Sequence, residues 1–421
     1  MKKIIVITIL LIGVNIIFST NKEQNKKILL TGENIDNIAF YIQDGENSSN
    51  YKNTDTIPAK NGGYIFKEAI CDDEANVTFD HSQWAIIVSN LSKNSTKCKL
   101  YFDINKDYAK EYILSHISVN ETTPTLNKTA TTNEGVFKAE DDDGTSYYYR
   151  GAVTNNYVKF AGIYWRIIRI NGDGSIRLIY QGTTPTSNGQ TESASYNTNY
   201  NDNAYIGYMF GTIGSSTYEA THTNTNSSTI KTNLEYWYRN TLLSYASYID
   251  YDAGFCNDRQ KNTTSETWWA NDTKLGYGKN TTTYAPYGRQ FLNGNWRTVI
   301  SATLKCTRTN DYFTSTNSVK GNKKLTYPIG LITSDEVVLA GGYIHYSNTN
   351  YYLYTGQSFW TMSPFDYDKD YSSAGMLIIS NTGAFAWGWV QNSNGIRPVI
   401  NLKKNVILSG SGTSTDPYLV S

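Results

Sequence analysis

The amino-terminal segment sets the environment in which the rest of the chain must fold. Residues 1–3 give it a short positive start, and Ile4 to Phe18 is apolar almost throughout. A run of this length suits the core of a signal peptide but falls short of the roughly 20 residues that a membrane-spanning helix needs. We therefore predict an exported protein with a signal peptide over residues 1–19, cut after Ser19. Because Ile17 is bulky so close to the cut, an uncleaved membrane anchor is the alternative.

Export changes the interpretation of the four cysteines. Cysteines in an oxidising compartment pair as disulfides, and an even number leaves none over. The chain has no CxxC and no histidine near any of the four, which argues against a zinc or redox site. Of the three possible pairings the sequential one is the simplest, and it joins Cys71 to Cys98 and Cys256 to Cys306. Each bridge would close a loop within one predicted domain and stabilise it by roughly 3–4 kcal/mol.

The charge balance excludes some kinds of partner. Lys and Arg number 37, Asp and Glu also number 37, and the formal net charge is zero. A nucleic-acid-binding protein needs a basic surface to neutralise phosphates, so we expect no nucleic-acid partner. With only four His in 421 residues, a multi-histidine metal centre is not expected either. Because aromatic residues make up 14% of the chain, the interior must rely on rings whose hydroxyl and NH groups need partners when buried.

Strand patterns predict a small β-sandwich-like module over residues 30–105. Short β-branched and aromatic runs are bounded there by Asn, Asp, Gly and Ser, which favour turns. These runs are Ile38–Ile42, Ala85–Val88 and Lys99–Phe102. Residues 106–136 are predicted to be a helix followed by a Thr- and Asn-rich linker, because the stretch from 119 has too few apolar residues to bury.

The larger predicted domain, residues 137–421, combines a hairpin, two helices and several short strands. Asn171–Gly174 separates two strand-forming runs and tolerates the positive φ of a hairpin turn. Ser227–Ser228 can cap one helix, and a capping box of Thr333 and Glu336 predicts a second. Closing strands are predicted at 356–362, 375–379, 384–390 and 396–402. This order predicts a β-rich α+β fold and not an alternating βαβ one.

The closing strands carry the candidate ligand-binding residues. Phe385, Trp387 and Trp389 alternate along one predicted strand and so share a face. Large, rigid indole rings suit stacking on sugar rings or contact with a protein surface, and core packing is the other use of such a face. Polar contacts are expected from Asp366, Asp368 and Gln391 in the neighbouring segments.

Acidic runs and histidines give no catalytic pattern. Asp366, Asp368 and Asp370 alternate as at the start of a calcium loop, but the positions where an EF-hand needs Gly and an acid hold Tyr and Leu. A structural calcium site of another kind stays open at this loop, at Asp141–Gly144 and at Asn201–Asn203. No nucleophile frame surrounds any histidine. We predict no other cofactor and no enzymatic activity.

Several stretches resemble a widespread group of exported surface proteins of low-GC gut bacteria. The matching residues are 151–182, 327–341 and 359–402, and the closing GTSTDPYLV is also typical of that group. The strand FWTMSP followed by GIRPV is similar to the end of domains with the C-type-lectin-like fold. These include the formylglycine-generating enzyme family and the variable proteins of diversity-generating retroelements.

The resemblance implies a C-type-lectin-like domain over residues 137–421. In such folds the segment matching Gly395–Val399 returns to the core, and the preceding loops form the ligand face. Carried over, Phe365–Ser373 and Ala384–Gln391 become the candidate face. The chain lacks a matching reactive cysteine pair near its end, which argues against the chemistry of the formylglycine-generating enzymes.

Together these features predict an adhesin-like surface protein, extracellular or at the cell surface, that binds a glycan or a cell-surface protein without chemistry. Contact with a membrane is expected only through the amino-terminal segment, if it is uncleaved. The alternatives are a secreted carbohydrate-active or sulfatase-modifying-factor-like enzyme and a structural subunit of a surface appendage.

Overall fold

The structure is a computed structural model, and the chain forms two compact units, residues 1–108 and 109–420. It describes residues 108–262, 277–290, 300–344 and 346–420, and before them the segments 16–18, 26–29, 38–45, 48–54, 56–58, 64–72, 76–80, 85–89 and 97–104. Of the predicted signal peptide, only Ile16–Phe18 lies within the described residues, so that prediction is not tested.

The first unit consists of two four-stranded sheets. Its strands are β1 Ile16–Phe18, β2 Lys26–Leu29, β3 Ile38–Gln43, β4 Tyr51–Thr54, β5 Tyr64–Cys71, β6 Asn76–Asp80, β7 Ala85–Ser89 and β8 Cys98–Ile104. The sheet orders are β1-β2-β7-β6 and β4-β3-β8-β5. The three strands predicted here from sequence are confirmed, each within a few residues of its expected bounds.

Aromatic side chains join the two sheets of the first unit. The Phe66 ring of β5 stacks on the Phe79 ring of β6 with centroids 4.8 Å apart, and Phe79 also meets Phe102 of β8 edge-on. Ile86 of β7 is fully buried in the same cluster. A disulfide links Cys71 to Cys98, directly opposite each other on β5 and β8, which confirms the predicted pair.

The second unit carries short helices and the remaining strands. The helices are α1 Ala109–Ser115, α2 Tyr218–Thr221, α3 Thr229–Thr241, α4 Ala285–Gln290 and α5 Ser334–Ala340. The strands are β9 Asn133–Asp141, β10 Gly144–Gly151, β11 Tyr157–Phe160, β12 Ile163–Ile170, β13 Ile176–Gly182, β14 Ser193–Ala194, β15 Met209–Phe210, β16 Asn226–Ser227, β17 Phe255–Cys256, β18 Thr282–Thr283, β19 Tyr312–Phe313, β20 Phe359–Asp368, β21 Ser373–Ile379, β22 Phe385–Trp389, β23 Asn394–Gly395, β24 Val399–Leu402, β25 Leu408–Ser409 and β26 Tyr418–Val420. The molecule is therefore β-rich with few helices, as expected.

An eight-stranded sheet holds the predicted hairpin. Its order is β24-β13-β12-β11-β26-β25, and β10 pairs with β12 and with β9. The β12–β13 hairpin places Ile170 opposite Ile176, and Asn171 and Ser175 close its turn. A second turn at Ala161–Gly162, where both residues have positive φ, divides the predicted first run into β11 and β12.

A second large sheet has six strands in the order β14-β23-β20-β21-β22, with β18 beside β20. The second disulfide, Cys256–Cys306, is also present as predicted. Both helix caps are confirmed: Ser228 accepts a hydrogen bond from the Lys231 N–H, and Thr333 forms a capping box with Glu336 at the start of α5.

The predicted linker is instead part of the second unit. Ala130 is fully buried, and its N–H donates to the Gly341 carbonyl. The buried guanidinium of Arg150 donates to the Thr125 carbonyl at 2.8 Å, and Asn120 N–H donates to Val136 O at 2.7 Å. Polar contacts to other elements thus order a segment that has little apolar surface of its own. The division between the two compact units falls at residues 108–109, so residues 109–136 belong to the second unit.

The segment Gly395–Val399 lies in the core, as the resemblance implies. Arg397 is 1% exposed, and its guanidinium donates to the carbonyls of Leu353 and Tyr180. Its guanidinium carbon lies 4.7 Å from the centre of the Phe359 ring. Carbonyl groups and an aromatic face together replace the water that a buried cation loses.

Candidate binding face

Strands β20, β21 and β22 build the face that contains the predicted site. β20 and β21 are antiparallel, and their register shifts around Pro364, where β20 bulges. β22 pairs with β21 so that Trp387 lies opposite Leu377 and Trp389 opposite Gly375. Among the described strands, β22 is the last of its sheet, and none of them pairs with its outer edge along most of its length.

Four rings form a continuous aromatic row on this face. Phe365 and Trp387 are parallel within 3° with centroids 5.4 Å apart, and Trp389 meets Trp387 edge-on at 4.8 Å. Tyr371 lies 6.1 Å from Trp389. The row, Phe365–Trp387–Trp389–Tyr371, runs from the core to solvent: Phe365 is 1% exposed, the two Trp are partly buried and Tyr371 is 70% exposed.

Gly375 leaves room for the Asp366 side chain beneath the row. A Cβ at this position would lie 2.7 Å from Oδ1 of Asp366, which is too close, but 3.5 Å from Cζ3 of Trp389 and 3.5 Å from Cδ1 of Phe365, which is ordinary contact. A side chain at position 375 would therefore displace the Asp366 carboxylate, while the two rings could stay in place.

Phe385 was predicted as a ligand contact, and the structure contradicts this. Its side chain is fully buried, although it shares strand parity with the two Trp. Its N–H donates to the Tyr343 carbonyl, because the segment at Tyr343–Ile344 covers this end of β22. Phe385 is therefore a core residue, and the exposed part of the face begins at Trp387.

The predicted polar residues lie close to the row but differ in their surroundings. Oδ1 of Asp368 accepts the backbone N–H groups of Asp370 and Tyr371, so this carboxylate shapes the β20–β21 turn. Within the described part of the chain, Oε1 of Gln391 and Nδ2 of Asn197 are buried without a hydrogen-bond partner. Asn197 N–H donates to Val390 O, which brings these two amides to the same end of β22.

Two acids of the open calcium sites, Asp141 and Asp202, accept hydrogen bonds from groups of the protein. No group of three or more His, Cys, Asp or Glu among the described residues is placed to hold a metal ion. Asp141 accepts hydrogen bonds from Arg169, Ser146 and Gly172. Asp202 caps the short helical turn Asn203–Ile206 by accepting the Ala204 N–H.

His222 is a core residue. Its ring stacks on Tyr218 at 3.9 Å, Nδ1 lies 2.6 Å from Tyr218 O, and Nε2 faces Oδ1 of Asp311 at 3.9 Å. Burial and Arg259 lower the pKa of His222 to about 2. Burial raises the pKa of Asp311 to about 6 against the opposing effect of Arg259, whose Nε donates to Asp311 at 2.7 Å.

Ionisable groups also meet in two neighbouring clefts that share Arg169, Gly254, Leu304 and Tyr312 in their walls. Glu336 contacts Arg177 Nε at 2.6 Å and Arg169 Nε at 3.0 Å. Burial alone would raise the pKa of Glu336, but the two Arg outweigh it and hold the pKa below its usual value. Glu336 thus stays a carboxylate paired with two cations, which suits a structural role better than proton transfer.

Tyr371, Phe365 and Gly375 complete the face, and sequence reasoning did not single them out. Tyr371 and Phe365 fall inside the segment that the resemblance marked, but strand parity alone gave no reason to choose them. In comparisons with known proteins, no family model, no curated protein and no solved structure matches the chain.

Proposed function

We propose that this is an exported, adhesin-like surface protein whose second unit binds a glycan through the exposed part of the aromatic row. The observation that carries the proposal is the row itself: Trp387 and Trp389 meet on the edge strand β22, and Tyr371 of the β20–β21 turn lies 6.1 Å from Trp389. A core face would not end in a ring as exposed as that of Tyr371.

A glycan suits this arrangement better than a globular protein partner. Indole and phenol faces match the flat, apolar face of a sugar ring, while carboxylate and amide groups accept and donate hydrogen bonds at its edge. The exposed part of the row consists of three rings, whereas a stable protein interface buries about 800 Å² on each partner around an apolar centre.

The proposal includes a C-type-lectin-like fold for the second unit and membership of the surface-protein group that the sequence resembles. Two features support it: the antiparallel β20–β22 unit follows helix α5, and the chain then returns through Gly395–Val399 to the other sheet. Binding by many copies on one cell would compensate for modest affinity at each site.

The two disulfides indicate an oxidising, extracellular environment. Within the described residues, no helix has both the length and the apolar character needed to cross a membrane. Export through the segment at residues 1–19 is part of the proposal, and mass spectrometry of the mature amino terminus tests it: a start at Thr20 is expected.

A glycan array with the full chain tests the binding proposal. Trp389→Ala and Tyr371→Ala should each weaken binding about tenfold or more, because each removes a stacking surface. Tyr236→Ala is the matched control: Tyr236 is 63% exposed on α3 and is not part of the row, so its loss should leave binding unchanged.

Two results would overturn the proposal. One is binding of a glycan that neither Trp389→Ala nor Tyr371→Ala affects. The other is an array on which no glycan binds while a protein ligand binds at the same face. The enzyme alternative predicts turnover of an oligosaccharide, which product analysis by mass spectrometry would reveal.

A further inference from the structure

The second of the two clefts described above, which we call the acidic cleft, lies where three loops of the second unit meet. The acids in its wall come from the end of β9 and the β9–β10 turn, from the β12–β13 turn, and from the segment before β17: Asp141, Asp142, Asp143, Asp173 and Asp252. The cleft encloses about 50 Å³. Since one water needs about 10–15 Å³ of such space, a group of a few heavy atoms fits inside.

Neighbouring cations do not neutralise all of this negative charge. Arg169 lines the cleft, but it divides its charge between Asp141, at 2.7 Å, and Glu336, at 3.0 Å. Lys320 pairs with Asp143. No described residue forms an ion pair with the three remaining acids of the cleft, which are Asp142, Asp173 and Asp252. The acidic cleft therefore favours a positively charged ligand.

The pKa values of the acids show the same excess of negative charge. Burial raises the pKa of Asp142, and the charge of Asp141 adds to the rise. Burial also raises the pKa of Asp250, two residues before Asp252, and both Asp173 and Asp252 add to it. A cation bound between carboxylates that repel one another would lower these pKa values again.

Asn171 is an independent indication of a ligand that donates hydrogen bonds. Its side chain lines the cleft, although the residue is only 6% exposed. Nδ2 donates to Ser175 at 2.8 Å and to Asn401 at 2.9 Å, and neither of these residues lines the cleft. Oδ1, on the other side of the amide, is buried without a hydrogen-bond partner among the described residues. A donor bound in the cleft would remove the cost of this unpaired oxygen.

A guanidinium group suits these acceptors better than a metal ion does. Calcium takes about six to eight oxygen ligands around one point. Among the described residues, no three acids are placed to surround a metal ion in this way. A guanidinium group carries its N–H donors spread around a plane, so it can reach acceptors that lie apart, whereas an ammonium group concentrates them on one atom.

Val319 indicates that the guanidinium group belongs to a peptide. Its N–H donates to Oδ1 of Asn317, a residue that lines the cleft, and the Val319 residue is 89% exposed. A peptide that places one charged side chain in the cleft would cover this apolar side chain with the rest of its length. Burial of apolar surface would then add to the ionic contacts.

We infer that the acidic cleft binds an arginine side chain from a peptide segment of a partner protein. The guanidinium group donates to Oδ1 of Asn171 and to the carboxylates of Asp173 and Asp252, and the peptide passes over Val319. The residues that line the cleft are distinct from those of the aromatic row, so the inference does not depend on glycan binding.

Ligand-observed nuclear magnetic resonance on the full chain tests the inference at pH 7 and low salt. The probes are three capped tripeptides that carry arginine, lysine or citrulline between two glycines; citrulline has nearly the shape of arginine but no charge. The arginine peptide should bind with a dissociation constant of about 1 mM or below. It should bind about tenfold more tightly than the citrulline peptide and about threefold more tightly than the lysine peptide. High salt should weaken it, because exposed charges are screened.

Substitutions assign the binding to the cleft. Asp173→Asn and Asp252→Asn should each weaken binding of the arginine peptide about threefold or more and leave the citrulline peptide unaffected. Both residues are exposed, and an Asn can still accept the hydrogen bonds that these carboxylates receive from Ser175 and Thr316, so the fold should persist. Glu192→Gln is the matched control, since Glu192 is exposed just before β14 and does not line the cleft.

Three results would overturn the inference. The first is equal binding of the arginine and citrulline peptides, or no binding of either. The second is a preference for arginine that Asp173→Asn and Asp252→Asn both leave unchanged, or that Glu192→Gln reduces as much. The third is displacement of the peptide by an equimolar amount of calcium ions, which would make the cleft a metal site instead.

Discussion

Trp387 joins the aromatic row to the core, so its replacement should cost stability as well as binding. The Trp387 ring is parallel to the buried Phe365 ring at 5.4 Å and edge-on to Trp389 at 4.8 Å. Trp387→Ala would remove both contacts and open a gap over Phe365, which itself packs on Tyr287. Side chains already fill the neighbouring positions of the sheet, so the surrounding structure can relax little into the gap.

The magnitude follows from burial and from the two ring contacts. Truncating a fully buried Trp costs about 3–5 kcal/mol, and each favourable ring pair adds about 0.5–1.5 kcal/mol to the area term. Because Trp387 is only partly buried, we expect Trp387→Ala to lower the free energy of unfolding of the second unit by about 2–3 kcal/mol. Trp389→Ala should cost about 1 kcal/mol, and Tyr371→Ala less than about 0.5 kcal/mol, since exposed side chains contribute little.

Urea unfolding of the full chain, followed by near-ultraviolet circular dichroism, measures these costs. The chain has two compact units, so two transitions are expected, and only the one that Trp387→Ala shifts belongs to the second unit. A double-mutant cycle with Phe365→Leu should give a coupling energy of about 1 kcal/mol between the stacked rings.

The ranking of the three variants is the decisive result. If Trp389→Ala or Tyr371→Ala destabilises the second unit more than Trp387→Ala does, the gradient from core to solvent along the row is wrong. A coupling energy near zero between positions 365 and 387 would refute the stacking on which the estimate depends.

Two further predictions concern buried ionisable groups. The pKa of His222 is lowered to about 2 in the folded state, so between pH 6 and about 4 only the unfolded chain protonates it, which destabilises the fold. The pKa of Asp311 is raised to about 6 in the folded state, so over the same range the folded chain takes up this proton first, which stabilises the fold. The two contributions to the free energy of unfolding should cancel in that range, and below about pH 4 the His222 effect alone should cost about 1.4 kcal/mol per pH unit. His222→Gln should abolish that loss of stability, measured by urea titrations at pH 5 and pH 3. An unchanged loss in the variant would contradict the assignment to His222. Glu336→Gln should destabilise the second unit by about 3–5 kcal/mol because it leaves buried Arg177 without its carboxylate. Glu121→Gln, which breaks an exposed pair with Lys138, should leave the free energy of unfolding nearly unchanged. Similar costs for the two variants in urea unfolding would refute the buried pairing.

Signals that act between near neighbours in the chain were predicted well. Ser228 and Thr333 cap their helices as expected, since a cap bonds to N–H groups only two or three residues away. The turn at Asn171–Gly174 joins its two strands for the same reason. The two disulfides also follow the simplest pairing, although that choice depended on the predicted domains and not on local geometry.

Features that depend on distant segments were missed. Strand parity correctly groups Phe385 with the two Trp, but the segment at Tyr343–Ile344 buries the first ring and leaves the others partly open. The stretch from 119 to 134 looked too polar to order, yet Arg150 holds it through backbone carbonyls that no composition rule takes into account. Gly375 gained its role only from the side chains that pack around it.

The amino-acid sequence alone determined that the chain is β-rich, which residues begin its helices and its main hairpin, and that its four cysteines suit an oxidising compartment. These properties follow from backbone preferences and short-range hydrogen bonds, which any chain with these residues carries. Only the tertiary structure decided which rings face solvent, which acids are paired with buried arginines, and that Asp366 lies beside Trp389. Burial and charge pairing depend on which distant segments come together, because each group's environment is made mostly by residues that are not its neighbours in sequence.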